Sequence, residues 1–237
     1  VVFHKEKWVL SVMSDPRNRR CLQEFLTPQM SKQGLHPVGR LDYDTSGLLL
    51  FSSSGPLTQK LLHPHGKVEK EYLATVEGVV DAEELAEKLA EGVETADGTY
   101  KATLVVDDVH HLSSEEGMNV FQELRANLPH DYNQTDLEHR GHLPTKESDA
   151  PMLSKVRLIV TEGKHRMVRR MLANSGHPVV ELCRTRIGDI EMNGDEVGPG
   201  DWRDITAEEE AWAENFLPKK KQKKRQRSQK NNEGLRP

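Results

Sequence analysis

The chain has 237 residues, 35% of them hydrophobic and 30% charged, with a formal net charge of −5. This length buries a sizeable core and suits one domain with appendages. No apolar run nears the roughly 18 residues of a membrane span, and two cysteines, Cys21 and Cys183, cannot form a disulfide framework. Membrane, secreted-miniprotein and collagen-like classes are excluded, and a soluble protein of a reducing intracellular compartment is expected. Cytoplasm, plastid and mitochondrion are not distinguished.

In chain order, Val1–Ser14 has strand composition and runs into the turn signal Ser14-Asp15-Pro16. Arg20–Phe25 predicts a short helix ended by Thr27-Pro28. Leu48–Ser52 and Glu71–Val76 predict buried strands. Asp81 is a helix N-cap with Glu84 placed to complete a box, Leu85 and Leu89 lie four apart, and Gly92 closes the helix. Tyr100–Val106 and Val156–Thr161 have strand composition. Residues 113–150 carry little periodicity beyond a helical turn at Val120–Leu128, and predict a mobile insertion between two strands. Helices and strands do not alternate regularly, so the class is α+β rather than doubly wound α/β. The catalytic unit is expected over 1–217, with a disordered basic tail at 218–237. That tail holds eight Lys and Arg from Lys219 to Lys230, plus Arg236, against one acid, Glu233. It carries +8, which leaves −13 on the rest of the chain. Such a tail suits a polyanion or a nuclear-import receptor.

Chemistry concentrates in His36-Pro37-Val38-Gly39-Arg40-Leu41-Asp42-Tyr43-Asp44-Thr45-Ser46-Gly47, a polar loop that enters the apolar run Leu48–Phe51. A carboxylate just before a buried strand sits on a rigid scaffold with its head toward a cleft. Arg40, Thr45 and Ser46 are within reach to hydrogen-bond it and keep it ionised. Further along, Arg166, Arg169 and Arg170 share one face of a helix expected from Lys164, with Met167, Val168, Met171 and Leu172 opposite. Guanidinium forks of this kind suit carboxylates and phosphates.

Gly39-Arg40-Leu41-Asp42-x-x-Thr45-x-Gly47-Leu48-Leu49-Leu50 resembles the catalytic signature of RNA pseudouridine synthases, above all the ribosomal RNA branch that includes the small-subunit enzyme. Glu69-Lys70-Glu71-Tyr72-Leu73 is similar to the second block of that family. Glu162 to Met171, Gly176-His177-Pro178, Arg184-x-Arg186-Ile187-Gly188 and Gly200-Asp201-Trp202-Arg203 follow in family order. The likeness covers about 1–112 and 153–206.

The resemblance implies a mixed, mainly antiparallel sheet in two halves, with peripheral helices and a central catalytic cleft. It implies RNA as partner, ribosomal RNA above all, and neither metal nor organic cofactor. Asp42 matches the catalytic aspartate, Tyr72 the tyrosine that packs on the target base, and Arg169 the arginine that pairs with the aspartate. Arg40, Lys70, Lys164, Arg166, Arg170, Arg184 and Arg186 are the expected RNA-binding residues. No membrane partner is expected, and a monomer is favoured. The family often carries a small RNA-binding domain ahead of the catalytic part, whereas this sequence starts at the first catalytic strand, so either a branch without that domain or a truncated N-terminus is expected; His4-Lys5-Glu6-Lys7 stands where the family tends to have Asn-Lys-Pro.

Two other readings compete. Asp42-Tyr43-Asp44-Thr45 fits the Asp-x-Asp-x-Thr of magnesium-dependent phosphohydrolases, but there the apolar strand precedes the first aspartate, and here it follows. A non-catalytic RNA-binding module would not need the aspartate, tyrosine and arginine together. The His63/His65, His110/His111 and His139/His142 pairs lack cysteine partners and a ligand frame.

Overall fold

The computed structural model describes residues 1–129, 152–192 and 197–217. The basic tail, most of the expected insertion and the His139/His142 pair lie outside the described residues.

Strands run β1 (Val2–Lys5), β2 (His36–Pro37), β3 (Ser46–Ser52), β4 (Lys70–Glu77), β5 (Val93–Thr95), β6 (Gly98–Tyr100), β7 (Thr103–Leu104), β8 (His110–His111), β9 (Leu153–Val160), β10 (Val179–Ile187), β11 (Ile190–Glu191) and β12 (Trp202–Arg203). The α-helices are α1 (Pro28–Lys32), α2 (Gly55–Leu62), α3 (Ala82–Glu91), α4 (Ser114–Ala126), α5 (Met167–Asn174) and α6 (Ala207–Glu214). One mixed sheet follows the order β12-β1-β3-β10-β4-β9-β7, and β5 pairs β6 apart from it. All its pairings are antiparallel except β3 with β10. The α+β class and the mainly antiparallel mixed sheet are therefore as expected.

The apolar run of β3 is continuous because both faces are covered. Leu49 and Phe51 join the large core with Phe3, Tyr72, Leu158, Met171 and Leu182. Leu48 and Leu50 point the other way, onto Val2, Val38, Leu61 and Ile187. A strand buried on both sides has no polar alternation to show.

The β1–β3 side and the β10–β4–β9 side meet at the parallel contact of β3 with β10. It consists of Ser46 opposite Cys183 and Gly47 opposite Arg184. Gly47 has φ +107°, and a Cβ there would press on the Arg184 carbonyl and lie 2.6 Å from its nitrogen. Only glycine lets the two backbones approach this closely. Gly47→Ala is expected to force them apart and destabilise the protein by roughly 2–4 kcal/mol, the scale of a backbone clash in a packed core. Denaturant titration measures it; a loss below about 0.5 kcal/mol would show that the contact yields freely.

Several elements differ from the expectations. Strand β1 stops at Lys5, because the chain then turns through Trp8, whose φ is +64°, to meet the Leu41–Thr45 loop. Arg20–Phe25 contributes only a 3₁₀ turn, Leu22–Phe25. The Tyr100–Val106 strand is divided into β6 and β7 at Lys101-Ala102. Asp81 does cap α3 by accepting from the Glu84 amide.

The largest difference is α4, a thirteen-residue helix where one turn was expected. Ser113 and Glu116 form a reciprocal capping box at its start. Phe121 and Leu124 then pack on Leu112, Leu153 and Val180. The polar surface residues of this helix hid an apolar stripe only three or four side chains wide.

Candidate active site

The Leu41–Thr45 loop is held residue by residue. The buried Ser11 hydroxyl donates to the Leu41 carbonyl at 2.7 Å and accepts from the Leu41 amide at 3.1 Å. The Asp42 carbonyl accepts from the Thr45 amide, and the Tyr43 carbonyl from the Trp8 amide at 2.7 Å. Asp44 takes a fork from Arg166 at 3.1 Å, and its carbonyl accepts from Arg169 at 3.0 Å. The Thr45 carbonyl accepts from the ammonium of Lys5 at 2.9 Å. Within this clamp the Asp42 carboxylate is half-buried and, among the described residues, makes no hydrogen bond or ion pair. It faces a cleft of about 420 Å³ that is also lined by Tyr72, Lys70, Lys164 and Arg184.

Three expectations are corrected here. Arg40, Thr45 and Ser46 do not hydrogen-bond the Asp42 carboxylate. Arg40 is exposed at the rim, the Thr45 hydroxyl accepts from Arg169 at 3.4 Å, and the Ser46 hydroxyl donates to the Leu182 carbonyl. Arg169 does not pair with the Asp42 carboxylate. It is buried, donates to the carbonyls of Val179 and Asp44, and places Nε 3.5 Å from the Asp44 carboxylate. Nor do Arg166, Arg169 and Arg170 form one solvent-facing row. Helix α5 begins only at Met167, after Arg166 in left-handed conformation (φ +52°), so Arg166 swings onto Asp44 while Arg170 pairs with Asp97. A wheel drawn from Lys164 assumed helix where the chain bends.

The remaining cations divide by environment. Lys70 is half-buried, its ammonium donates to the Val68 carbonyl at 2.9 Å, and burial with the nearby Arg184 charge lowers its pKa. Lys164 is exposed at the cleft mouth. Arg186 is engaged by Glu69 at 3.1 Å and Glu71 at 3.3 Å. Glu71 also bonds Arg157, which pairs with Asp108, so Arg186 lies within a chain of ion pairs that runs from Glu69 to Asp108 across the sheet. Its charge is largely spent. Sequence reasoning did not single out Ser11 or the buried Lys5, and weighed Asp44 only within the Asp-x-Asp-x-Thr alternative. Asp44 left a signal in its spacing from Asp42, whereas Ser11 left none.

Lys5 is fully buried beside Asp42. Burial pulls its pKa down to about 7 against the opposing pull of Asp42. The folded pKa then lies below the unfolded one, so the unfolded chain binds more protons between about pH 7 and 10.5. Stability from this group should rise with pH across that window, by about 5 kcal/mol on the usual conversion of 1.4 per unit. Lys5→Met should flatten this rise in denaturant unfolding measured from pH 6 to 10. Parallel curves for both proteins would assign the titration to another group.

The match to known proteins agrees with this geometry. A family model described as RNA pseudouridylate synthase matches residues 1–174. The chain belongs to that family. An uncharacterised RNA pseudouridine synthase of Mycobacterium leprae is 32% identical over 199 residues, covering 84% of this chain and 62% of that protein. Ribosomal large subunit pseudouridine synthase B of Bacillus subtilis is 28% identical over 208 residues, covering 88% and 68%. The E synthase of Vibrio parahaemolyticus is 30% identical over 206 residues, covering 86% and 73%. This chain thus spans about two thirds of the length of such relatives. Among solved structures, a pseudouridylate synthase superposes with a TM-score of 0.62 at 23% identity, over 91% of this chain and 72% of that one, and shares the fold.

Proposed function

We propose that the chain isomerises a uridine of ribosomal RNA to pseudouridine, with Asp42 as the catalytic carboxylate. The observation that carries this reading is the Asp42 carboxylate itself, unengaged on a loop whose backbone is held residue by residue. A group that must form or assist a bond to the substrate needs free oxygens and a fixed backbone, and the clamp supplies both. The isomerisation breaks the bond from the ribose carbon to N1 and makes one to C5. The C5 proton passes to a base and a proton is gained at N1. Tyr72, the third residue of β4, lines the cleft and is assigned both the packing on the base and the acceptance of that proton, since a base being rebuilt must leave its stack.

Six cations line the cleft (Arg40, Lys70, Lys164, Arg166, Arg169 and Arg184) against two acids, Asp42 and Glu162. This excess attracts a polyanion although the chain as a whole is acidic. Arg40 and Lys164, exposed at the rim, are the best placed for phosphates, and Arg170 lies just outside. Arg169 acts through Asp44 and Thr45, as a positioning residue of the loop. Large-subunit ribosomal RNA is the favoured substrate, because two of the relatives carry that substrate in their names. The chain is proposed to act as a monomer, without a metal or cofactor. Release of tritium from ribosomal RNA labelled at uracil C5 tests the reading. Release in step with pseudouridine appearing in the digest is the expected result; binding without release would leave an RNA-binding module instead.

A further inference from the structure

Arg184 of β10 is buried to 4% exposure, yet it lines the cleft that holds Asp42. Its Nε donates to the Leu48 carbonyl at 2.9 Å, which fixes the plane of the guanidinium. Among the described residues its two terminal nitrogens have no hydrogen-bond partner, and Nη2 is shut away from solvent. A buried cation with donors left over is costly and calls for an acceptor.

The strand register says where that acceptor comes from. Arg184 sits directly opposite Tyr72 across the β10–β4 pair, so their side chains are neighbours on one face. Just beyond, two residues of β10 oppose one of β4, a bulge of the kind that re-aims a side chain. A uracil packed on the Tyr72 ring therefore presents its edge to Arg184. Burial decides between base and phosphate: the RNA backbone stays at the mouth with Arg40 and Lys164, and only a flipped base reaches this depth.

The surroundings strengthen the case. Lys5 and Lys70 both feel the Arg184 charge, and Lys5 feels that of Asp42 as well, so basic groups gather at the Asp42 end of the cleft. When the bond to N1 breaks with its electron pair left on the ring, the detached base carries a negative charge spread over N1 and the two carbonyl oxygens. Resting on the reading of the cleft given above, we propose that Arg184 donates a hydrogen bond to a uracil carbonyl oxygen, holding the base while it turns and stabilising its charge. Fixed donors aimed at developing charge are the strongest devices an active site has.

Two substitutions and two modified substrates test this. Arg184→Met should lower the single-turnover rate at saturating enzyme about 100-fold, the scale for losing one such donor. RNA affinity and its salt dependence, measured in an Asp42→Asn background, should not change. Arg184→Lys should be intermediate, and serves in place of the methionine variant if that one unfolds. RNAs with 2-thiouridine or 4-thiouridine at the target site replace one carbonyl oxygen by a poor acceptor. One of the two should slow the wild type, and the penalty should vanish in the Arg184 variant. Equal thio penalties in both proteins would overturn the proposal, as would a salt slope reduced by about 0.7, the mark of a lost phosphate contact. If the wild type itself releases no tritium from uridine, the isomerase reading fails. If it does and Arg184→Met matches it, only the role of Arg184 fails.

Discussion

Asp42→Asn should abolish tritium release from C5-labelled RNA, by at least about a thousandfold, while leaving the fold and RNA affinity in place. A carboxylate that bonds to the substrate or drives departure of the base has no substitute in an amide. A thousandfold corresponds to about 4 kcal/mol of barrier. The structure also explains why stability should hardly change. The Asp42 carboxylate makes no hydrogen bond or ion pair among the described residues, so asparagine strands no hydrogen-bond donor, and the buried Lys5 that feels its charge keeps its bond to the Thr45 carbonyl. Thermal unfolding within about 2 °C of wild type, with RNA binding within about threefold, is the accompanying expectation. Turnover within tenfold of wild type would remove Asp42 from the chemistry.

The opposite pattern is expected two residues on. Asp44 is 5% exposed and accepts a fork from Arg166 while Arg169 approaches at 3.5 Å. Asp44→Asn keeps the shape but removes the charge that offsets two guanidinium groups, one of them buried. Breaking a buried ion pair from one side costs about 3–5 kcal/mol. We expect a stability loss of that size in urea denaturation, and a fall in turnover because the loop that carries Asp42 loses its anchor. Asp42→Asn and Asp44→Asn thus separate chemistry from scaffold. A variant of Asp44 that is inactive yet as stable as wild type would give Asp44 a direct part in the reaction.

Much of this was legible from residues alone. The Asp42 loop, the strand that follows it and the helix capped by Asp81 each have a local signature: turn residues, an unbroken apolar run, a cap with spaced leucines. Where prediction failed, the deciding contact was distant in sequence. Ser11 clamps Leu41 across thirty residues, and Arg169 reaches Asp44 across more than a hundred. The partners of Arg166 depended on a single left-handed residue at a helix start, which periodicity does not encode. Helix α4 was missed because a short apolar stripe on a charged surface looks like a polar insertion until Leu112, Leu153 and Val180 supply the other half of its contact.

The clamp on Leu41–Thr45 has a consequence for recognition. A loop that must be ordered on encounter spends part of the binding free energy on its own conformational entropy, on the order of 1 kcal/mol or more per residue. Here Ser11, Trp8, Lys5, Arg166 and Arg169 have already met that cost during folding. On the proposed function, the attraction between the cleft and RNA is then left over for drawing the target base out of its stack.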